Sequence, residues 1–339
     1  MRTLHALRGT LVILGVAVAL AVGLSVLPER EYQRWQLLEG TIHARSKWIY
    51  ERINFDPEPI DVVFVGPSRV GAAIDAPRIG AALAQRGLPS NVVNFSLPET
   101  GRNINYTIID ELLSKKQPKL IVIGVVEKPS RLGHPTFKFL APREQIVHPG
   151  YPADINYLSD LVYLPFRQAQ LFAAYVAPGV LGPPAEFQPE TYRGHSVDTT
   201  GDVALPDGRI LNATHPGAPD EIERGVRKLE ARSRPPILPA EYAEWEFGDE
   251  RHYIREIAKL AKARGVKLAF LFLPYYSGPS AIQEEALYRQ YGPIWMGDFT
   301  AFQPDLYADY AHLTSTGADQ MSDFLVDPIA QQLQSKAKP

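Results

Sequence analysis

The chain contains no cysteine. This excludes disulfides, thiolate metal ligands and a cysteine nucleophile, and it is compatible with either a reducing or an oxidising compartment. It also lacks a basic run able to follow a phosphate backbone. Its 35 basic residues are offset by 38 acidic ones for a net charge of −3, so nucleic acid is not an expected partner. The eight histidines are scattered, with no His-Glu-x-x-His and no closely spaced ligand pair, so no metal site is expected. No phosphate-loop or dinucleotide glycine fingerprint follows any apolar run, and no cofactor is expected. Internal repeats are not evident.

What is present is a chain of 339 residues, 45% hydrophobic and 22% charged, able to bury a sizeable core as one large domain or two modest ones. Residues 10 to 27 form an uncharged apolar run behind Arg2 and Arg8. Ala21-Val22-Gly23 resembles a small-residue cleavage site, which is the signal-peptide reading. The run exceeds the usual signal core of about 7–15 residues, and a retained transmembrane anchor is the expectation. The positive-inside tendency then keeps the N-terminus cytoplasmic and places everything after Pro28 across the membrane, in the periplasm of a bacterium.

Residues 29 to 58 have helix-forming composition and are expected to form a juxtamembrane helix over 30 to 53. A regular alternation follows. "DVVFVG" (61 to 66), "NVVNFS" (91 to 96), "KLIVIGVV" (119 to 126) and "VKLAFLFLP" (266 to 274) read as buried strands of a parallel sheet. Helical stretches lie between them, among them 75 to 87, with Asp75 as N-cap, Pro77 in the first turn and Gly87 as the stop. The expected fold class is α/β: a three-layer α/β/α domain over 59 to 338 around a flavodoxin-like parallel sheet. From about 135 to 245 the rhythm fails in favour of a Pro- and Gly-rich insertion. Within it, "INYLSDLVYLPFRQAQLFAAYV" (155 to 176) reads as a packed helix, Asp160 and Arg167 making it a poor membrane span. "VALPDGRIL" (203 to 211) reads as a hairpin around Pro-Asp-Gly.

In an open parallel sheet, ligands bind beyond the carboxyl ends of the strands. Ser68 stands there after the first strand, in "VGPSRVG", and Gly101 stands after the second, in "NFSLPETGRN". Near the C-terminus, "YADYAHLTSTGA" (307 to 318) places Asp309 and His312 three residues apart at the entrance to the last helix. A serine hydroxyl needs a base to take its proton, and the base works best when a carboxylate holds its tautomer. Asp309 and His312 can present both groups from one short segment. Backbone N–H groups around Gly101 can stabilise a developing oxyanion.

The order of these blocks resembles the SGNH hydrolase superfamily, which includes GDSL esterases and lipases and the O-acetyltransferase domains that decorate bacterial polysaccharides. "VGPSR" is similar to its first block, "NFSLPETG" to its second and "DYAHLTSTGA" to its last; the likeness covers 60 to 130 and 250 to 335 and leaves the anchor and insertion outside it. The resemblance implies Ser68 as nucleophile, His312 as general base, Asp309 as its orienting carboxylate and Gly101 as an oxyanion donor. The family's third block usually supplies an asparagine amide after a strand, whereas Glu127 stands near that place here. Either it pairs elsewhere, with Arg131 or Arg69, or the hole has two donors, or the site is degenerate. Asn94 and Asn103 are the candidate substitutes. Arg69 could hold an anionic or acyl group, and Tyr275 or Tyr276 could line an acceptor site.

The expected function is a membrane-anchored, extracytoplasmic serine acyl-transfer enzyme, an O-acetyltransferase or esterase. Its partners would be a cell-surface glycan or small acyl ester, and a membrane-embedded acyl-donor protein or other membrane complex. The competing expectation is a non-catalytic accessory subunit that retains the fold.

Overall fold

A computed structural model of the chain describes residues 2–151, 154–201, 203–205, 208–232, 236–301 and 303–335. The chain begins with α1 (Arg2–Ser25). Its apolar stretch Leu7–Ser25 is 19 residues long and wholly unburied, long enough at ~1.5 Å per residue to cross a membrane.

The next segment differs from the single helix expected there. It forms two helices, α2 (Glu31–Trp35) and α3 (Arg45–Asn54). The chain reverses between them around Gly40, whose φ of 79° suits glycine. Both helices belong to the domain rather than leading to it. Trp35, Trp48, Ile49 and Ile53 lie in the main apolar cluster. The buried Arg52 donates to the carbonyl oxygens of His195, Glu58 and Pro59 at 3.0, 2.8 and 2.6 Å, which satisfies a charge that burial would otherwise penalise.

Strand β1 (Val62–Val65) leads to α4 (Ser68–Ala73) and α5 (Ala76–Gln85), then β2 (Val92–Asn94), α6 (Arg102–Lys115) and β3 (Leu120–Val125). Asp75 caps α5 as its spacing predicts, its carboxylate accepting from the Arg78 N–H at 2.9 Å. The insertion carries α7 (Phe137–Leu140), α8 (Arg143–Val147), α9 (Tyr157–Val176), the hairpin strands β4 (Val203–Ala204) and β5 (Ile210–Leu211), α10 (Pro219–Glu230) and α11 (Ala243–Glu246). The hairpin pairs Val203 with Leu211; Pro206 and Asp207 of its expected turn lie outside the described residues. The alternation then resumes with α12 (Gly248–Ala263), β6 (Lys267–Phe272), α13 (Glu285–Tyr288), β7 (Ile294–Met296) and α14 (Ser315–Gln334).

Five strands form one sheet in the order β2-β1-β3-β6-β7, and every pair is parallel. The strands are apolar and largely β-branched because both of their faces are covered. Alternate side chains go to opposite sides: Val63, Val65, Ile121 and Ile123 join Ile108 of α6 and Ile257 of α12 in one apolar cluster. Val62, Phe64, Leu120 and Val122 join Ile79 of α5 and Leu325 of α14 in another. The chain leaves β1 outward to β2 and returns past it to β3, so the order reverses between β1 and β3. In an open α/β sheet that reversal opens a crevice at the carboxyl ends, and Ser68 follows β1 at that point.

Candidate functional site

The turn that presents Ser68 depends on two close backbones. A Cβ on Gly66 would lie 2.8 Å from Val70 Cγ2 and 3.1 Å from the Gly124 Cα. Only glycine lets β1 and β3 end this near each other. Pro67 caps α4 from an extended conformation, and Ser68 is its first residue.

Ser68 Oγ lies 2.8 Å from His312 Nε2, although 244 positions separate them in the chain. His312 Nδ1 lies 3.0 Å from each oxygen of Asp309. A carboxylate on the Nδ1 side keeps the proton there and leaves Nε2 as an acceptor facing the hydroxyl. Asp309 also accepts the backbone N–H groups of Ala311 and His312 at 2.7 and 2.8 Å. Burial alone would push its carboxyl up. The imidazole and these two amides outweigh burial and hold Asp309 below the usual carboxylate range, so it is ionised at neutral pH.

The Asp309–His312 turn is not a helix cap. Thr314 performs that task for α14, its hydroxyl accepting from Gly317 N–H at 3.2 Å. The turn is instead closed on itself, Ala308 N–H donating to His312 O at 2.8 Å, and is gripped from three directions. Tyr276 N–H donates to Tyr310 O at 2.8 Å, Gly217 N–H to Tyr307 O at 2.9 Å and Ser315 N–H to Ala213 O at 2.7 Å. Ala213 and Gly217 belong to the insertion, which was expected to lie over the carboxyl edge of the sheet but not to hold this turn through its backbone. A Cβ on Gly217 would meet Ala308 O at 2.5 Å, and that glycine was the one local sign of the contact.

Glu127 pairs with Arg69, one of the two partners considered for it. The contact is bidentate, at 2.7 and 2.8 Å. Arg69 also donates to Leu273 O at 2.6 Å, and Tyr275 N–H donates to Glu127 at 3.3 Å. Burial works to raise the Glu127 carboxyl, but the Arg69 guanidinium more than offsets it and keeps it ionised. The pair therefore ties together the ends of β3, α4 and β6 as a charge-neutral unit. Glu127→Ala is expected to reduce unfolding free energy toward the lower end of ~3–5 kcal/mol, since it strands a guanidinium that is largely out of water. Urea denaturation checks this: a double variant with Arg69→Met should recover most of the loss, and an unchanged midpoint in the single variant would refute it.

Gly101 borders the same cavity as Gly66 and Pro67, the two residues before Ser68. Its φ of 154° and a virtual Cβ 2.1 Å from His134 N make any side chain there untenable. The preceding Glu99 has a φ of 68°, a sparsely populated conformation for a residue with a side chain. The cavity is small, about 20 Å³, room for roughly one water molecule. Its wall includes Asp249, a residue sequence reasoning missed. One oxygen of Asp249 is buried with no hydrogen-bond partner, and burial, with Asp154 and Glu250 nearby, raises its carboxyl well above the ordinary range. The neighbouring Glu250 is paired with Arg102 at 2.8 Å. His134, also lining the cavity, is held down at about 4 by burial and by His43. It is thus neutral, bridging Pro98 O at 2.6 Å and the Thr136 hydroxyl at 2.7 Å.

Of the two asparagines, Asn94 is fully engaged elsewhere and Asn103 is engaged through its oxygen alone. Asn94 Nδ2 faces Val70 O, Thr199 Oγ1 and Ile74 O at 3.0, 3.0 and 3.3 Å, and its Oδ1 accepts from Ser96 N–H. It fastens α4 to β2 and leaves no amide hydrogen for a substrate. Asn103 Oδ1 accepts from His134 N–H at 2.7 Å and Ile104 N–H at 2.9 Å. Its Nδ2 is buried without a partner beside Gly133. Tyr275 is buried rather than lining the crevice with its ring exposed.

Compared with protein-family models and with curated protein sequences, the chain matches none of them.

Proposed function

We propose that the chain is a membrane-anchored serine acyl-transfer enzyme whose domain lies on the extracytoplasmic side, in the periplasm of a bacterium. The observation that carries this reading is the continuous hydrogen-bonded series Ser68–His312–Asp309 at the carboxyl edge of the sheet. The apolar helix Leu7–Ser25 behind Arg2 and Arg8 supports the anchor. The strand order supports a three-layer, flavodoxin-like domain of SGNH type.

In this reading Ser68 Oγ attacks the acyl carbonyl carbon while its proton passes to His312 Nε2, and Asp309 stabilises the resulting imidazolium. Backbone N–H groups near Gly101 receive the oxyanion. Collapse expels the donor's oxygen, which leaves with the proton from His312 and an ester on Ser68. A second hydroxyl, from a cell-surface glycan or from water, then attacks the ester carbonyl as its proton passes to His312. Collapse breaks the bond to Ser68 Oγ, which takes that proton back from His312, and the acyl group departs on the incoming oxygen. The acyl donor would be a small ester or an acyl-carrying membrane protein. The Arg69–Glu127 pair keeps the Glu127 charge from opposing the oxyanion.

A second reading is a non-catalytic accessory subunit of a membrane complex. It is favoured by the presence of Glu127 where an oxyanion-binding amide would be useful. A fluorophosphonate probe separates the two: covalent labelling of folded wild-type protein, mapped to Ser68, is expected of the enzyme. Folded protein that takes no label would favour the accessory role.

A further inference from the structure

Helix α9 was expected to be packed, and one of its faces is. Asp160 and Arg167, its charged residues, are both buried, and Arg167 donates to Ala141 O at 2.7 Å. The opposite face is open and apolar. Leu158 is 71% exposed, Val162 68% and Phe166 68%, one and then another helical turn apart, with Ile155 before them. No exposed position of α9 carries a charge. Helix α10 shows what a water-facing helix of this chain looks like: its exposed positions include Asp220, Glu221, Glu223, Arg224, Arg227 and Lys228.

The occupant of this face is indicated by what α9 lies against. It touches α1 directly, and the segment leaving α1 runs alongside it in the same direction. Gln168 Nε2 donates to Leu27 O at 3.1 Å, the Arg30 guanidinium sits 5.1 Å from the centre of the Tyr175 ring, and Gln33 Nε2 donates to Ala174 O at 2.9 Å. Carried back toward the N-terminus of α9, this register runs the helix that bears Leu158, Val162 and Phe166 along the last turns of α1, which it touches. Those turns are the end of the apolar stretch Leu7–Ser25.

We infer that the exposed face of α9 is immersed in the extracytoplasmic leaflet beside α1, so that the domain rests on the bilayer through a second, non-spanning element. A chargeless apolar face suits the acyl-chain region, where an exposed charge would be costly. The placement has a consequence for the site. Just before α9, Asp154 accepts from Gly133 N–H at 2.9 Å, and Asn156 donates to Gly133 O at 2.8 Å. Pro129, Ser130 and His134, in the segment around Gly133, wall the cavity that Gly66 and Pro67 also line. The crevice is thereby tied to the membrane surface, and its substrate is one presented there.

This inference rests on the reading of α1 as a membrane anchor, and the test separates the two. Because the chain has no cysteine, single labels can be placed at will on the full-length protein. Leu158→Cys, Val162→Cys and Phe166→Cys carry an environment-sensitive fluorophore, with Val16→Cys in α1 and Lys228→Cys in α10 as references. The proteins are reconstituted in vesicles of phosphatidylethanolamine and phosphatidylglycerol containing acyl-chain doxyl quenchers. The expected result is blue-shifted emission and doxyl quenching at 158, 162 and 166 comparable with position 16, and neither at 228. Water-like emission at the three α9 positions with lipid-like behaviour at 16 overturns the inference and leaves the anchor standing. Blue-shifted but unquenched emission means that protein, not lipid, covers the face, and also overturns it. Water-like emission at 16 removes the anchor itself.

Discussion

Ser68→Ala is expected to lower turnover of an acyl ester by about four to six orders of magnitude, the range over which loss of a serine nucleophile acts when its base and carboxylate remain. The argument is geometric. A hydroxyl 2.8 Å from Nε2 is already in proton-transfer range, and no other hydroxyl is hydrogen-bonded to His312 among the described residues. The double variant Ser68→Ala/His312→Ala should be no slower than Ser68→Ala by more than a few-fold, because groups that act as a unit are removed together by the first substitution. Release of nitrophenol from an activated acetate ester measures both. Thermal unfolding should move little, since Ser68 Oγ makes a single hydrogen bond worth about 1 kcal/mol net. Turnover within tenfold of wild type in folded Ser68→Ala would remove the nucleophile assignment, and additive losses in the double variant would show that the two residues do not work together.

The strands were legible because a parallel sheet covered on both faces demands runs such as "DVVFVG" and "KLIVIGVV", which few other structures tolerate. β7 was not, since Ile294–Met296 is three residues long and flanked by Gly292, Pro293 and Gly297, which read as loop. The break between α2 and α3 was hidden because helix-forming composition continues across it; only Gly40 marks it. Ser68, Asp309 and His312 could be proposed together from their residue types and their order along the chain, but their distances could not. Glu127 illustrates the boundary. Its charge was visible in the sequence and Arg69 was one of two partners named for it; the choice of Arg69, 58 positions away, over the nearby Arg131 is made by how β1 and β3 lie side by side. The hold of Ala213 and Gly217 on the segment around Asp309 and His312 runs through backbone atoms, which every residue possesses, so it left almost no trace in side-chain pattern. The open face of α9 was missed for the converse reason. Asp160 and Arg167 argued against a lipid-spanning helix; their spacing of seven sets both on one face, but nothing in it revealed that this face turns inward.

Asp309→Asn is expected to cost about 10⁴-fold in turnover, equivalent to roughly 5.5 kcal/mol of transition-state stabilisation, with the fold retained. An asparagine can still accept the Ala311 and His312 N–H groups that Asp309 binds at 2.7 and 2.8 Å. Its amide would then turn N–H toward His312 Nδ1, which must become the acceptor. The proton moves to Nε2, and the imidazole presents a donor to Ser68 where it previously presented an acceptor. The hydroxyl cannot then be deprotonated, and the imidazolium charge has no carboxylate beside it. The rate of fluorophosphonate labelling should fall in parallel with turnover, whereas a residue that only shaped the turn would depress both by unfolding. Stability separates these cases through its pH dependence. The folded-state pKa of Asp309 is depressed, so its contribution is present above the unfolded value of about 3.9 and is lost as pH falls through the lower folded value. The wild type should therefore exceed Asp309→Asn in urea midpoint at pH 7, and the gap should close in strong acid. Equal turnover at neutral pH, or a gap in midpoint that does not change with pH, would mean that the carboxylate neither orients His312 nor carries a charge that the folded state uses.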